Sequence, residues 1–314
     1  MKTFLNFIRL LFFTLLALLL TSTLISAIKN DGIFSFFRSC GFDKVDSRFF
    51  TDDPNYGVGD QSFTGGLGSI DIHWVSGSLN LTAYDGDEIK VHEESVKNRG
   101  IEDGLKLRSI YINENLTVRF SGEQNLIVAS ADNSPKALTV SIPKSIAQGL
   151  KNVTICGIDA DITISGISAE VCEIESVTGV VTVSDSHIKR LSTETVSGNI
   201  LVSAEVESIS VSGIKAKVVC SGNETREASI KTVGGDVVFG IEDSCEKFTA
   251  DSVSGSVTLN VGESVPFSAE ISSVFGKLTS SPKGCIIVDE KKTSRGDGGC
   301  EIGVKTTLGD LEIN

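Results

Sequence analysis

The sequence has little of several residue types on which most enzymes and metal proteins depend. It contains 5 prolines and 3 histidines in 314 residues, and aromatic residues make up 6%. His73, His92 and His187 lie far apart, and no CxxC, HExxH, GxSxG or Walker-type sequence occurs. No catalytic, zinc or nucleotide-binding motif is therefore recognisable, and we expect no enzymatic activity, no cofactor and no bound metal.

Basic residues and helical patterns are also in short supply. The chain has 28 Lys and Arg against 41 Asp and Glu, a net charge of −13. Because nucleic acids and anionic lipid surfaces are bound through basic patches, this balance argues against both as partners. No amphipathic helix of useful length is predicted after residue 29, whereas Val, Ile, Ser and Thr dominate the second half and favour β-structure.

The first 28 residues form a separate hydrophobic segment. Lys2 and Arg9 precede the uncharged residues 10–28, and Ser26-Ala27 is a small-residue cleavage site. Residues 1–28 are therefore predicted to be a hydrophobic helix that acts as a signal peptide or as an uncleaved membrane anchor. Both alternatives place the remainder in the cell envelope, on the outer side of the cytoplasmic membrane, either anchored through residues 10–28 or secreted.

A short phrase recurs seven times between residues 170 and 314. Apolar residues alternate on both sides of a glycine, and a serine or threonine lies three residues before it. The glycines are Gly179, Gly198, Gly213, Gly235, Gly255, Gly276 and Gly309. The hydroxyl residues are Ser176, Thr195, Ser210, Thr232, Ser252, Ser273 and Thr306. Glycine spacings of 19, 15, 22, 20, 21 and 33 residues indicate a stack of units with a period near 20.

Each unit predicts one rung of a solenoid. In the unit around Gly255, Phe248 before the glycine and Val257 after it share the buried face, at period two on both sides of a corner. Glycine at the corner allows φ > 0, and we expect the hydroxyl to face inward and hydrogen-bond there. We therefore predict an all-β fold, a single-stranded parallel β-helix. The apolar residues after Gly213 fall one position later, which predicts a bulge or slipped register.

The pattern divides the chain into four segments. Residues 1–28 are the hydrophobic segment, and residues 29–62 are predicted to be a juxtamembrane connector. Residues 63–148 are predicted to form an N-terminal β region with the first rungs, and residues 149–314 the solenoid repeats. Residues 281–303 interrupt the period and predict an exposed loop before the last unit.

The cysteine pattern predicts at most one local bridge. There are seven cysteines, so not all can pair within the chain. Cys285 and Cys300 flank the predicted loop, and a disulfide between them would close it. Cys220 continues the inward alternation of its unit and is predicted to be a small core residue. We expect the other thiols to be mostly reduced and buried.

One pair of carboxylates keeps an enzymatic alternative open. Asp159 and Asp161 lie on one face of an extended segment, a spacing that suits acid–base chemistry on a polysaccharide. Such a site would require Asp159, Asp161, Asp185 and Glu205 to cluster with a basic partner on one face of adjacent rungs. The face that carries the pair offers no basic partner. A solvated strand face is the favoured explanation of the pair.

The order of several motifs resembles the bacterial putative-adhesin domain family, a domain of unknown function. The motifs are GDEIKV at residues 86–91, LTVSIP at 138–143, the repeated S-G-x-I/V units, and IGVKTTLGDLEI at 302–313. The resemblance covers roughly residues 65–314. It implies a cell-envelope β-solenoid, and it supplies no catalytic residues.

The leading hypothesis is a non-enzymatic binding or scaffold module whose partner is an envelope protein or glycan. A solenoid face offers a long surface that suits extended ligands. One alternative is a membrane-anchored partner of an envelope-stress signalling system, which an uncleaved anchor would favour. A second is the polysaccharide-active β-helix enzyme. The outward polar positions, the 281–303 loop and the amino-terminal strands are the predicted places for a binding site.

Overall fold

The structure is a computed structural model that describes residues 48–96, 100–122, 135–221 and 224–314. Residues Phe49–Asn314 form one compact unit. The predicted hydrophobic helix over residues 1–28 and most of the predicted connector lie outside the described residues. Within the described ranges, no helix has the length and apolar character that crossing a membrane requires.

Nearly every regular element is a β-strand, so the all-β prediction is confirmed. The amino-terminal strands are β1 (Gly57–Val58), β2 (Gln61–Phe63), β3 (Ser69–Tyr84), β4 (Ile89–Ser95), β5 (Arg108–Ile112), β6 (Asn115–Arg119) and β7 (Lys136–Pro143). A single-turn helix, α1 (Lys144–Ala147), follows. The next strands are β8 (Leu150–Ser165), β9 (Ser168–Cys220), β10 (Glu227–Gly234), β11 (Val237–Ile241), β12 (Lys247–Ser254) and β13 (Val257–Val261). The remaining strands are β14 (Phe267–Ser273), β15 (Leu278–Ser280), β16 (Ile286–Asp289), β17 (Lys292–Arg295), β18 (Cys300–Thr306) and β19 (Leu311–Ile313).

From β8 to β13, parallel ladders join segments that lie one repeat apart in the sequence. Strand β8 pairs on one side with the distant strand β3, and on the other with β9, which runs for 53 residues. Strand β9 pairs with β10 and β11, and these pair with β12 and β13. Equivalent positions of the repeat lie opposite each other, as Ile230 and Ala250 do. The period in the sequence is thus the period of the stack.

The core is a set of narrow columns of aliphatic side chains. Ile230, Ala250, Val304 and Ile271 lie opposite one another on four neighbouring strands, and each is at most 1% exposed. Because side chains alternate between the two faces of a strand, every second residue joins such a column. Burying one aliphatic side chain contributes about 1.5–3 kcal/mol, and a rung obtains this only by stacking on its neighbours.

The carboxy-terminal strands are threaded between two earlier sections of chain. Strand β18 pairs in parallel with β12 on one side and with β14 on the other, and β19 does the same with β13 and β15. The rung at residues 300–313 therefore lies inside the stack, and the earlier rung at residues 267–280 lies beyond it. Strand β17 then pairs antiparallel with β14, and β16 pairs antiparallel with β17.

The amino-terminal end of the stack is closed by antiparallel strands. Strands β6 and β7 each stack in parallel on one half of β3. Strand β5 then pairs antiparallel with β6, and β4 with β7. The outermost strands, β1 and β2, are only two and three residues long. Phe49 and Phe50, from the segment predicted to be a connector, are buried in this unit.

Two ion pairs hold this amino-terminal end. The Lys136 and Glu93 side chains are 2% and 4% exposed, and their Nζ and Oε2 atoms are 2.8 Å apart. Lys136 Nζ also donates to the carbonyl oxygens of Leu105, at 2.7 Å, and Phe120, at 2.5 Å. Burial lowers the pKa of Lys136 to about 8, although the Glu93 charge acts in the opposite direction.

The second pair lies on the adjoining strands β3 and β6. Asp71 receives hydrogen bonds from His73 Nε2, at 3.0 Å, and from Arg119, at 2.7 Å. Burial opposes ionisation of Asp71, but the bond from His73 and the charge of Arg119 outweigh it. Together they lower the pKa of Asp71 to about 2.

Candidate binding surface

Most of the predicted glycines lie at one corner of the stack, where successive backbones approach closely. Gly235 has a φ of 127°, and a Cβ atom there would overlap the carbonyl oxygen of Ala216 in the preceding rung. Glycine is required because any side chain would need both a rare conformation and more space. The same close approach to the neighbouring backbone occurs at Gly179, Gly198, Gly255, Gly309 and Gly276.

Gly213 lies elsewhere, which corrects the sequence assignment of that unit. It is opposite Thr232, in the hydroxyl position, and Ala216 occupies the corner. Ser210 is exposed, as is Ile214, which the pattern had placed in the core. The predicted bulge or slip is wrong, because the ladder between β9 and β10 runs through this rung without a shift. The segment Ser210-Val211-Ser212-Gly213 reproduces the repeated sequence, but its glycine lies three residues before the corner position at Ala216.

Three of the six remaining predicted hydroxyl groups, those of Ser176, Ser273 and Thr306, form hydrogen bonds at the corner. Thr306 Oγ1 accepts the backbone N–H of Gly309 at 2.8 Å, and Ser273 Oγ accepts that of Gly276 at 2.6 Å. Five of these six hydroxyl residues are only 5–8% exposed, namely Ser176, Thr195, Thr232, Ser252 and Thr306. These side chains face inward, so they present no hydroxyl surface to a ligand. The predicted hydrogen bond at the corner is wrong for Thr195, Thr232 and Ser252, whose hydroxyl oxygens are buried without a partner among the described residues.

The predicted carboxylate pair is also engaged in bonds between rungs. Asp161 Oδ1 accepts the backbone N–H of Val180 at 2.8 Å. Asp159 Oδ1 accepts the hydroxyl proton of Thr178 at 2.8 Å. Aspartates after other corner positions also accept a backbone N–H of the neighbouring rung, namely Asp236 and Asp310. These carboxylates extend the backbone ladder at the corner, where sequence spacing alone resembled an acid–base pair.

The disulfide prediction is wrong in its partner. Cys300 is bonded to Cys245, and Cys285 remains a half-buried thiol. The insertion of β18 between β12 and β14 explains the difference. It places β18, which starts at Cys300, beside β12, which follows Cys245. Burial raises the pKa of Cys172 and Cys220 to about 12, which keeps both thiols protonated.

A row of aliphatic side chains runs along the outside of the glycine corner. The residue after each inward hydroxyl position points outward, and its exposure is 41% at Ile214, 47% at Val233, 49% at Val253 and 56% at Val274. One position further, Leu308 is 59% exposed and Phe275 is 65% exposed. We call this set the aliphatic ridge: Ile214, Val233, Val253, Val274, Phe275 and Leu308.

The ridge is exposed only in the carboxy-terminal half of the stack. The equivalent residues of the first rungs, Val75 and Ile158, are 2% and 7% exposed, and Val177 and Val196 are half-buried. The position is therefore apolar in each of these rungs except that of residues 300–313, where Thr307 occupies it beside the exposed Leu308. The molecule covers the position only near the amino-terminal strands. In the sequence the ridge corresponds to the recurrent Val after each hydroxyl residue. The sequence does not reveal that this side chain points outward.

The ridge is suited to binding and lacks groups for catalysis. Rungs are spaced by about 4.8 Å, so the five rungs from Ile214 to Val274 span roughly 20 Å. None of the six side chains ionises. Contiguous exposed apolar surface of this kind marks contacts with other macromolecules, whereas single exposed aliphatic residues do not.

A polar cluster lies away from the corner. His187 Nδ1 is 3.2 Å from Glu205 Oε2, and Glu224 brings a third ligand atom, all within 4.8 Å of one another. An open cleft of about 530 Å³ adjoins it, lined by Glu207, Glu224, Arg226, Glu242, Asp243 and Ser244. No sequence motif marks the three residues, but they lie about one repeat apart. All are solvent-accessible, so water screens their interaction.

Comparison with known proteins identifies the family. The sequence profile described as Toastrack DUF4097 matches residues 67–314. No curated protein matches.

Several solved structures are similar. A putative adhesin from Bacteroides fragilis has 14% identity and a TM-score of 0.46, covering 82% of this chain and 97% of its own. A putative lipid binding protein from Parabacteroides distasonis has 13% identity and a TM-score of 0.40, covering 83% and 98%. A putative cell adhesion protein from Clostridium sporogenes has 12% identity and a TM-score of 0.27, covering 82% and 99%. The family profile spans most of the sequence, so the chain belongs to the Toastrack DUF4097 family, as its motifs at residues 86–91, 138–143 and 302–313 predicted.

Proposed function

We propose that the protein is a non-enzymatic binding module of the cell envelope that holds a partner protein along the aliphatic ridge. The observation that carries the proposal is the exposed apolar row over consecutive rungs, from Ile214 to Val274. A rigid stack holds these side chains at fixed spacing, so little conformational freedom is lost when a partner binds.

The chemistry of the ridge favours a protein over a glycan. Sugars are held by flat aromatic faces and by polar side chains, whereas the ridge is aliphatic except for Phe275. The single tryptophan, Trp74, is fully buried, where its Nε1 donates to the carbonyl oxygen of Lys136 at 3.2 Å. An apolar face on the partner, either a strand or a helix, would exclude water from the row and stabilise the complex.

The location follows from the amino-terminal segment of the sequence. Lys2 and Arg9 precede the uncharged residues 10–28, which would direct the rest of the chain to the outer side of the cytoplasmic membrane. Mass measurement of the native amino terminus would distinguish the two forms. A chain that begins near residue 28 would be secreted, and an intact one would be anchored.

Site-directed photocrosslinking in intact cells tests the binding surface. A photoreactive residue at Val253 should form a crosslink to an envelope protein, and Val233→Glu in the same chain should abolish it. Leu201 is the matched control, since it is 38% exposed and lies off the ridge. A crosslink of equal yield from Leu201, or one from Val253 that survives Val233→Glu, would refute the ridge as the binding surface.

A further inference from the structure

Three side chains that can coordinate a metal ion meet on the outer surface of neighbouring rungs. The ligand atoms of His187, Glu205 and Glu224 lie within 4.8 Å of one another, and His187 Nδ1 is 3.2 Å from Glu205 Oε2. Glu205 and Glu224 are 19 residues apart, which is also the separation of Ser208 and Glu227 in the ladder between β9 and β10. The stack therefore brings together one imidazole and two carboxylates that no local motif connects.

The two carboxylates stand on adjacent rungs as like charges. Rungs are spaced by about 4.8 Å, and like charges directly opposite each other destabilise a sheet. Within the described residues, Glu205 forms an ion pair only with His187, and Glu224 forms none. Elsewhere on β9 opposite charges face each other across rungs, as Lys189 Nζ and Glu170 Oε1 do at 3.4 Å. A cation between the two glutamates would remove this repulsion.

The adjoining cleft adds further negative charge. It is lined by one basic residue, Arg226, and by four acidic ones, Glu207, Glu224, Glu242 and Asp243. A concave surface in which carboxylates outnumber basic groups raises the local concentration of cations. The exposure of the three ligand residues leaves a path by which an ion can enter from solvent.

A second exposed histidine shows what distinguishes this cluster. His92 Nδ1 is 2.6 Å from Asp60 Oδ2, and the two side chains are 55% and 56% exposed. No third ligand atom joins that pair, since the part of the chain that the structure describes holds three such groups together only at His187. A histidine–carboxylate pair is thus common to both places, and the additional carboxylate of Glu224 is what completes a set of three ligands.

We propose that His187, Glu205 and Glu224 bind a zinc ion. Zinc binds imidazole nitrogen and carboxylate oxygen at about 2.0–2.2 Å, which places tetrahedral ligand atoms about 3.4 Å apart. The distance between His187 and Glu205 already matches this spacing, and rotation of the exposed Glu224 side chain would bring its oxygen to the same separation. Three protein ligands leave the fourth position to water. The cluster lies away from the aliphatic ridge, so zinc would bind whether or not the ridge holds a partner.

Zinc titration followed at the three histidines tests the site directly. The full-length protein in mild detergent carries Cys40→Ser and Cys285→Ser throughout, so that these thiols do not compete for the metal. Calorimetry should give one zinc ion per chain with a dissociation constant below about 100 µM. Nuclear magnetic resonance of isotope-labelled histidine should show the ring signals of His187 shifting with the first equivalent of zinc, while those of His73 and His92 stay in place.

Isosteric substitutions of the two glutamates complete the test. Glu205→Gln and Glu224→Gln should each weaken zinc binding at least about tenfold, because the neutral amide is a much poorer zinc ligand than a carboxylate. Asp60→Asn removes the same charge from the His92 pair and is the matched control, which should bind zinc as the parent protein does. The proposal would be overturned by three results: no binding at about 100 µM zinc, a first shift at His73 or His92, or unchanged affinity in Glu224→Gln.

Discussion

Replacing Lys136 by methionine should destabilise the fold by about 4 kcal/mol, because the change strands a buried charge. Methionine fills a similar volume but cannot donate to Glu93 or to the carbonyl oxygens of Leu105 and Phe120. Removal of one partner of a buried ion pair typically lowers the free energy of unfolding by about 3–5 kcal/mol. Glu93 would be left 4% exposed, with the backbone N–H of Leu107 as its remaining donor.

A second substitution separates the contributions to this loss of folding stability. Glu93→Gln removes the stranded charge but keeps an oxygen that accepts the Leu107 N–H. The double variant should therefore recover about 2 kcal/mol relative to Lys136→Met alone, leaving mainly the cost of two carbonyl groups without donors. Lys144→Met is the control, since Lys144 and Asp85 form an ion pair that is 60% and 86% exposed, and its loss should be below about 0.5 kcal/mol.

Urea unfolding of the four proteins at pH 7 measures these differences. The pKa of Lys136, about 8, adds a pH test. A lysine whose folded pKa lies below its usual 10.5 binds its proton less tightly in the folded state. The unchanged protein should thus gain stability as pH rises from 8 towards 10.5, and Lys136→Met should lack that gain. A loss under 1 kcal/mol for Lys136→Met, or a further loss on adding Glu93→Gln, would refute the argument.

Three further outcomes are expected. Gly255→Ala should lower the free energy of unfolding by about 2–3 kcal/mol, because φ is 140° and the backbone of the neighbouring rung is in contact. Gly303→Ala is the control, since Gly303 has open space around it, and it should change the free energy of unfolding by less than about 1 kcal/mol. Equal losses for the two variants in urea unfolding would contradict this. Iodoacetamide should modify Cys285 in the native protein and Cys172 only after unfolding, as peptide mass mapping can establish. Since the pKa of Asp71 is lowered to about 2, its stabilisation is present above pH 3.8 and lost towards pH 2. Asp71→Asn should therefore reduce the stability difference between pH 5 and pH 2 by about 1 kcal/mol, and an unchanged difference would contradict the role of its contacts.

Local periodicity was sufficient to predict the all-β fold and the rungs. The alternation around Gly235 and Gly255 reports one-sided burial directly, since each face repeats every two residues. It failed at Gly213, because a local copy of the phrase was out of phase with the corner, and only the ladder with β10 identifies Ala216 as the corner residue.

The sequence pattern could not predict the order in which distant rungs stack on one another. The sequence order of units suggested that residues 302–313 close the stack, whereas β18 lies between β12 and β14. The Cys245–Cys300 bond depends on that insertion and so could not be inferred from spacing. The aliphatic ridge was likewise hidden, because a valine that follows a buried hydroxyl looks like core until the direction of its side chain is known.

The threading of residues 300–313 makes folding depend on the order in which the chain is synthesised. Both flanking rungs are made before the rung that separates them. A chain that ends near residue 299 therefore has a gap inside its stack, whereas a solenoid with rungs in sequence order would lack only its last rung. The rung at residues 267–280 cannot reach its final neighbour until β18 and β19 have emerged. Translation must therefore pass this point before the structure can close, and repeats cannot be removed from this end one at a time.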